Sequence, residues 1–564
     1  MTSTYSDSEA KYIYAHGYYT GNNSMQGWNY LEVNGVDESL VTSTHEFLKS
    51  RYAMGYLEGT LTCSDMIAFY PNFYHDLFGY DRPGAQSLAF LRENYRWAKK
   101  MAEDNYLADT FWYAQLQTFR QLTGLFDGFM ASPCVGATSS DASSFLKSGQ
   151  KSENKKKKRS SYSGGGEWVP NMWDSLEDEP TFEHLLLLNA WGDMYQIATK
   201  FAEPGRNSRL FGRNKQTLIE RCSAFIKLLP DYSDVFFAHN TWDGYGSLGP
   251  RVFKHYAFPL VPAMETVGEP LTRHDVYFSS SPALLSSVDD FFVLKGRANL
   301  GVTETTNSLF ELKILSLVTP HSLLSWMRST GSNQAAESGA SWVQLFARYQ
   351  SGTYTNQWMV LDLSLFTPGS RPLPGFLSII EEVPGTTHAQ DMTEHLLQRG
   401  FWKSFNSPYF DDIQQLAGYR RLCEAGARTA CYEQAPRSEL FEKLQGSVRG
   451  VDDVKSVMQY NHWFEDAQSK NDSCHAIACR GDLEPDPESR GAFGALDAKI
   501  SSAAMARQAD NLPYKPSVLA RLGPSTSEGL LPVFCWSSFA GEGGSHAGQP
   551  NCFDFQWVLF GGGG

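Results

Sequence analysis

Cys222 and His239 are the residues of this sequence whose types and spacing best suit catalysis. Cys222 begins the segment CSAFIK, residues 222–227, and His239 follows the run VFFA, residues 235–238. Both runs have the apolar, aromatic-rich composition of strands, and PDYSD at residues 230–234 is a turn signal between them. The pattern therefore predicts a hairpin that brings the thiol close to the imidazole.

A thiol beside an imidazole is a workable nucleophile and base pair. The thiolate is the form of cysteine that attacks, and a neighbouring histidine lowers the cost of forming it. The spacing leaves a second interpretation open, in which a buried core cysteine lies beside an ordinary histidine at a strand end.

Several other catalytic signatures are absent from the sequence. It contains no G-x-S-x-G elbow, no Walker A loop and no H-E-x-x-H helix. The segment CHAIAC, residues 474–479, holds three potential zinc ligands, but without a second pair at matching spacing a local disulfide between Cys474 and Cys479 is the better interpretation. We therefore expect no metal and no cofactor.

Cysteine usage suggests an oxidising compartment. The nine cysteines include two close pairs, Cys423/Cys431 and Cys474/Cys479, which suit local disulfides, and the odd total leaves one thiol over if the others pair. Scattered thiols in a reduced protein remain an alternative, since separation in sequence does not fix geometry. Sequons at Asn22 and Asn471 favour secretion weakly. The polar first residues lack the features of a secretory signal and, taken literally, predict a cytosolic product.

Composition excludes some classes of partner. The 564 residues are 42% hydrophobic, enough for a large core, and carry a formal net charge of −14. An acidic chain whose aromatic residues are not interleaved with Lys/Arg clusters is a poor binder of nucleic acid. No apolar run reaches the length of a membrane helix, so we expect no integral membrane segment. The sequence leaves a homodimer open.

The elements that position the two residues follow from hydrophobic periodicity. Residues 139–166, rich in Ser, Lys and Gly, predict a disordered insertion. Predicted strands span residues 224–228, 235–238, 275–278, 291–294, 357–363 and 375–381. Predicted helices span residues 38–59, 86–103, 181–201, 307–316, 392–399, 413–425 and 439–444. Clustered strands with flanking helices indicate a layered α+β fold with a mostly helical N-terminal portion.

Several ordered blocks of the sequence resemble the phospholipase B-like family, called lamina ancestor proteins in insects. The resemblance covers nearly the whole chain. Its strongest blocks span residues 222–245, 279–294, 302–307, 342–363, 383–385, 400–410, 435–441, 479–483 and 494–499.

This resemblance implies an N-terminal-nucleophile hydrolase, an αββα sandwich whose precursor is cut just before a cysteine. Residues 1–221 would then be a helix-rich portion separated by processing. Residues 222–564 would be the catalytic portion that begins at the nucleophile. Cutting between Arg221 and Cys222 frees an α-amino group with an ordinary pKa of about 7.7–8.0, which can serve as base for its own thiol.

Carried over position by position, the family's site residues fall on Cys222, His239, Trp242, Asn406 and Arg437. The Asn406 amide suits donation to an oxyanion, although an asparagine before Ser407-Pro408 also suits a turn. Arg437 suits anchoring of an anion or a structural ion pair. Trp242 suits a pocket wall or the core.

Beside these family positions, Asp243 adjoins Trp242 and is placed to support His239. The family name implies removal of acyl chains from glycerophospholipids, in the lysosomal lumen or outside the cell. An amidase acting on N-acyl amides or peptide-like substrates, and a catalytically idle lumenal lipid-binding protein, are the alternatives.

Overall fold

A computed structural model describes residues 2–5, 13–36, 43–78, 83–137, 182–202, 222–260, 272–507, 515–539 and 544–561. The predicted insertion at residues 139–166 lies outside them, as does Arg221.

The described strands form two sheets. They are β1 (Thr2–Tyr5), β2 (Ala15–Thr20), β3 (Trp28–Gly35), β4 (Cys222–Leu228), β5 (Val235–Gly244), β6 (Arg251–Leu260), β7 (Thr272–Ser280), β8 (Phe291–Lys295), β9 (Leu300–Thr306), β10 (Asn356–Asp362), β11 (Leu377–Val383), β12 (Thr386–Asp391), β13 (Phe401–Ser404), β14 (Phe493–Ala495), β15 (Asp497–Ser502), β16 (Val518–Leu522) and β17 (Val558–Phe560). The large sheet has the order β1-β2-β3-β6-β7-β8-β9-β10-β11-β12, and β3 pairs with β6 in parallel. The small sheet has the order β13-β4-β5-β15-β16-β17, with β14 paired to β5.

The described part of the chain contains sixteen α-helices. They are α1 (Asn23–Gln26), α2 (Thr44–Leu61), α3 (Cys63–Phe78), α4 (Ala85–Asn105), α5 (Thr110–Met130), α6 (Pro133–Ala137), α7 (Phe182–Asn189), α8 (Trp191–Phe201), α9 (Ser325–Ala335), α10 (Gly339–Phe346), α11 (Thr393–Arg399), α12 (Asp411–Ala417), α13 (Tyr419–Glu424), α14 (Pro436–Gln445), α15 (Val451–Met458) and α16 (Ala503–Arg507). Helices α2 and α10 pack on the large sheet, and α14 and α15 pack on the small sheet.

Successive side chains of β4 point to opposite faces of the small sheet, and this alternation shows how the layers pack together. Ala224 and Ile226 face a core between the two sheets, where Phe237 of β5 stacks on Phe291 of β8. Phe225 faces the other way, into a core beneath α14 and α15. A strand covered on both faces is apolar throughout, which explains its continuous hydrophobic run. The layers are therefore helix, sheet, sheet, helix, and the predicted α+β class is confirmed. The assignment to the N-terminal-nucleophile type stays a prediction.

Every predicted strand overlaps an observed one, and most of the predicted helices are present. The prediction of a helix over residues 307–316 is wrong, because that segment holds only a short 3-10 helix at Leu312–Leu317. Its backbone is bound elsewhere, since the N–H of Asn307 donates to Thr355 and that of Phe310 donates to Ala417. The predicted helix over residues 413–425 is split in two at Gly418, whose φ of +92° ends α12.

Four disulfides join eight of the nine cysteines. The predicted pairs Cys423–Cys431 and Cys474–Cys479 are confirmed. Two further disulfides, Cys63–Cys134 and Cys535–Cys552, were not predicted. All nine cysteines fall within the described ranges, and Cys222 is the one left as a thiol, buried in the fold.

Across the described part of the chain, no helix is both long and apolar enough to span a bilayer.

Asp193 of α8 makes the stability of the folded protein depend on pH. Its Oδ1 accepts hydrogen bonds from the N–H of Ser325 at 3.0 Å and the hydroxyl of Thr353 at 2.6 Å. Burial nevertheless raises the pKa of this carboxyl to about 6. The folded protein thus keeps a proton that the unfolded chain gives up near pH 4. The stability that Asp193 contributes is present below about pH 4 and is lost as the pH rises through 6.

Asp193→Asn should therefore stabilise the protein only at neutral pH. The amide keeps the acceptor and removes the titration. Relative to the wild type, we expect its free energy of unfolding to gain about 2–3 kcal/mol between pH 4 and pH 7.5, measured by urea denaturation. Exposed Asp411→Asn controls for the loss of one negative charge. A difference of equal size at both pH values would show that buried Asp193 is ionised throughout.

Candidate active site

Cys222 lies at the start of β4 with its side chain between the two sheets. In the β4–β5 hairpin, Cys222 is opposite Thr241 and Ala224 is opposite His239. The Cys222 Sγ, a ring nitrogen of His239 and a carboxylate oxygen of Glu304 all lie within 4.8 Å of one another, and the three residues are buried. The predicted hairpin therefore forms and brings thiol and imidazole together, and Glu304 of β9 joins them from the other sheet.

His239 is held neutral. Its side chain is fully buried, and burial together with the nearby cation of Lys499 lowers the pKa of the imidazole well below its ordinary value. Within the described structure, neither ring nitrogen makes a hydrogen bond of ordinary length and angle. Such an imidazole accepts a proton from the thiol less readily than an exposed one.

Asn406 connects the start of β4 to a neighbouring loop. Its Oδ1 accepts from the backbone N–H of Cys222 at 3.2 Å and from Arg437 at 2.7 Å. Its Nδ2 donates to the carbonyl of Thr306 at 2.6 Å. These partners fix the orientation of the amide, because two donors need the oxygen and a carbonyl needs the NH₂ group. The backbone φ of +66° also gives Asn406 the left-handed conformation of a turn residue.

Arg437 at the start of α14 binds the next peptide group, on the other side of the Cys222 Cα. Its guanidinium donates to the carbonyl of Cys222 at 2.5 Å and to the carbonyl of Phe405 at 2.7 Å. The same group lies over the ring of Trp242, 4.3 Å from its centroid. Asn406 and Arg437 thus fix the N–H and the C=O of Cys222, while the thiol stays directed between the sheets.

A narrow cavity of about 10 Å³, room for about one water molecule, opens beside the thiol. It is lined by Trp191, Gly192, Tyr195, Cys222, Trp242, Asp243, Val288, Thr306 and Tyr354. The first three belong to α8, so the N-terminal portion supplies one wall. Trp242 is a wall of this cavity and is also 1% exposed, so both sequence interpretations of it describe the structure. The carboxylate of Asp243 accepts from the N–H of Gly244 at 2.8 Å.

Comparison with known proteins shows the family to which the whole chain belongs. The family model described as Phospholipase B matches residues 15–144 and 171–560. The chain belongs to the phospholipase B family. Phospholipase-B 81 of Drysdalia coronoides is 31% identical over 553 residues, which cover 96% of this chain and 88% of that protein. Phospholipase B-like 1 of Rattus norvegicus is 31% identical over 545 residues, covering 96% and 87%.

A third relative extends the comparison beyond animals. Phospholipase B-like protein G of Dictyostelium discoideum is 29% identical over 564 residues, covering 95% of this chain and 84% of that protein. The resemblance found in the sequence blocks is therefore confirmed.

In this phospholipase B family member, a network of buried charges lies beside the hairpin. Arg251 pairs with Asp289 and, at 3.3 Å, with Asp497. Lys499 contacts Asp497 at 2.8 Å and the hydroxyl of Thr241 at 2.7 Å. Burial opposes ionisation of Asp289, but Arg251 and Lys499 outweigh it and hold the pKa of this carboxyl well below its usual range. The network fixes β15 and β6 against the strand that carries His239.

Next to this network, two carboxyl groups share a hydroxyl donor. The Tyr354 hydroxyl lies 3.0 Å from Asp290 and 3.3 Å from Glu304. Burial raises the pKa of both carboxyls. The adjacent charge of Glu304 raises that of Asp290 further, whereas a hydrogen bond with Asp290 offsets part of the rise for Glu304. The pair therefore holds a proton in the fold, within reach of the Cys222 thiol.

The sequence reasoning missed these charged residues, although a signal for them was present. The segments VDDFF at 288–292, VTETT at 302–306 and LDAKI at 496–500 each place charged residues in strand-like apolar surroundings. A charge on a strand buried on both faces needs a partner, so such residues point to a polar cluster between the layers.

Proposed function

We propose that this chain removes acyl chains from glycerophospholipids, with Cys222 as nucleophile after the Arg221–Cys222 bond is cut. One observation carries the proposal. Two residues 184 and 215 positions downstream, Asn406 and Arg437, converge on the backbone of the one thiol that is not in a disulfide. Membership of the phospholipase B family and the names of its relatives support the substrate class.

In the proposed reaction, the Cys222 thiolate attacks the ester carbonyl carbon and forms a tetrahedral intermediate. The C–O bond to glycerol then breaks, the alcohol takes the proton, and the acyl group stays on sulfur as a thioester. Water hydrolyses the thioester and regenerates the thiol. The α-amino group freed by the cut accepts the thiol proton, and Asn406 Oδ1 holds this nitrogen in place.

Asn406 also supports the oxyanion in this proposal. Its Nδ2 carries two hydrogens, and one is used on the Thr306 carbonyl. We assign the second to the oxyanion, where a donor in a dry site stabilises the developing charge.

The first cut requires a different base, because no free amine exists before it. We assign this step to His239, which lies beside the Cys222 thiol. His239 takes the thiol proton, the thiolate attacks the Arg221 carbonyl carbon, and the peptide C–N bond breaks as the Cys222 nitrogen takes that proton from His239. Water then hydrolyses the thioester, which releases the upstream fragment as a carboxylic acid and restores the thiol. The low pKa of His239 makes the proton transfer unfavourable. A slow reaction suffices here, since each chain is cut once.

We also propose that the protein acts in the lysosomal lumen or outside the cell. Four disulfides are typical of an oxidising compartment. The sequon residue Asn471 is exposed, in a left-handed turn that leaves its side chain accessible to a glycan. Asn22 is partly buried, and its backbone N–H donates to Asn29.

The substrate class is tested with a matched pair of substrates. Purified, cut protein should release fatty acid from a diacyl glycerophospholipid at least about tenfold faster than from an N-acyl amide carrying the same chain, because an alkoxide leaves more easily than an amine anion. Free fatty acid is measured by mass spectrometry. Faster amide cleavage would favour the amidase alternative. Binding of both lipids without turnover would favour an idle lipid-binding protein.

A further inference from the structure

Cys222, His239 and Glu304 bring three different metal-ligating atoms to one point. They come from β4, β5 and β9, so two sheets contribute. The sulfur, one ring nitrogen and one carboxylate oxygen lie within 4.8 Å of one another in a fully buried region. This cluster has no sequence motif, because its members are spread over residues 222–304, and the sequence analysis expected no metal.

The cluster also contains polar atoms without partners in the described structure. The ring nitrogens of His239 and the Oε2 of Glu304 are buried and make no hydrogen bond of ordinary geometry, although the backbone of Glu304 lies near the imidazole and Asp290 lies near the Glu304 carboxyl. Buried polar atoms are nearly always fully satisfied. A cation bound between the imidazole and the carboxylate would give these atoms the good partners that they lack.

We propose that Cys222, His239 and Glu304 bind one Zn²⁺ ion. A thiolate, an imidazole and a carboxylate form a ligand set typical of zinc, and three protein ligands leave a fourth position for water. Mg²⁺ and Ca²⁺ prefer all-oxygen sites and are disfavoured by the sulfur. Tetrahedral zinc sets its ligand atoms about 3–4 Å apart, so the side chains need to close by at most about an ångström or two.

The charges of the cluster suit a divalent cation. One thiolate and one carboxylate neutralise Zn²⁺, and binding releases the thiol proton to solvent. A neutral imidazole offers a lone pair to the metal without losing a proton. With zinc bound, the sulfur shares a lone pair with the metal and is a weaker nucleophile towards a carbonyl carbon. The site is therefore a reversible block on the nucleophile, and its existence does not rest on the identity of the substrate.

Cobalt substitution tests the site without any substrate. The full chain, stripped with EDTA and desalted, is titrated with Co²⁺ and then with Zn²⁺. We expect one Co²⁺ per chain, a near-ultraviolet thiolate-to-cobalt band with tetrahedral visible bands, and loss of these bands when Zn²⁺ is added. Cys222→Ser and Glu304→Gln should each weaken binding at least tenfold. His388→Gln, at the surface pair of His388 and Asp412, is the control and should bind normally.

Thiol labelling keeps the test decisive if a core variant fails to fold. Cys222 is the one of the nine cysteines that is not in a disulfide, so labelling of the native wild type by a small methanethiosulfonate reports this residue alone. Zn²⁺ should slow labelling at least tenfold, and EDTA should restore it. The absence of a thiolate band with Co²⁺, or labelling at an unchanged rate with Zn²⁺, would overturn the proposal. Failure of phospholipid hydrolysis would leave both readouts unaffected.

Discussion

Cys222→Ala is expected to leave the chain intact between residues 221 and 222 and to abolish acyl hydrolysis. Alanine has no nucleophile, so neither the cut nor the thioester can form. Cys222→Ser should be cut slowly or not at all, since a hydroxyl is a poorer nucleophile than a thiolate. Mass spectrometry of the N-termini and a fatty-acid release assay measure the two effects on the same preparation.

The disulfide pattern makes the cut easy to see on a gel. Cys63–Cys134 lies wholly before residue 222, and the other three disulfides lie wholly after it. The two fragments should therefore separate under denaturing conditions without reductant. They should still co-elute in native buffer, because β3 of the first portion pairs with β6 of the second inside one sheet.

A matched control separates loss of the nucleophile from loss of any cysteine. The double variant Cys535→Ser, Cys552→Ser removes one disulfide and leaves Cys222 in place. It should be cut normally even if its melting temperature falls. If Cys222→Ala is cut at the same bond and remains active, both the self-processing mechanism and the nucleophile assignment are wrong.

Local signals were enough to predict the hairpin that carries the thiol. The turn at residues 230–234 joins two apolar runs, and nothing outside the segment is needed to pair them. Strands β2 and β3 carry weaker local signals, since each contains a glycine, and β3 pairs with β6, more than two hundred residues later. A pairing between strands so far apart in the chain produces no local sequence pattern from which it could be predicted.

For a related reason, the sequence does not predict that Glu304 lies close to Cys222. It depends on how the two sheets pack face to face, which is set by shape in the core rather than by spacing along the chain. Asn406 shows a different limit. The sequence offered a turn residue and an active-site amide as alternatives. The structure shows the left-handed turn and an amide that binds the Cys222 N–H, and the catalytic role of that amide stays a prediction.

Asn406→Ala in already cut enzyme should lower kcat by roughly a hundredfold, the size of effect seen when one oxyanion donor is lost. The substitution removes the bonds to the Cys222 nitrogen, to Arg437 and to the Thr306 carbonyl. Because these groups are buried, the free energy of unfolding should also fall, by about 1–3 kcal/mol. Single-turnover rates and urea denaturation give the two quantities.

Asn72 provides a structural match for this variant. It is fully buried in α3, donates to the carbonyls of Gly249 and Ala547, and accepts from the Ser545 hydroxyl and the Ala547 N–H. None of these partners belongs to the site. Asn72→Ala should therefore lose as much stability as Asn406→Ala while kcat stays within about twofold of the wild type. An equal loss of kcat in both variants would show that Asn406 contributes to stability and has no direct role in catalysis.

Asn406→Asp distinguishes the two proposed roles of the amide. The carboxylate keeps an acceptor for the Cys222 nitrogen and for Arg437, but it has no hydrogen for an oxyanion and places a negative charge where one develops. If donation to the oxyanion dominates, this variant should be no faster than Asn406→Ala. Recovery of more than about tenfold over the alanine variant would show instead that Asn406 acts only by holding the nucleophile's nitrogen. In that case, the oxyanion donor must be sought elsewhere in the cavity beside Cys222.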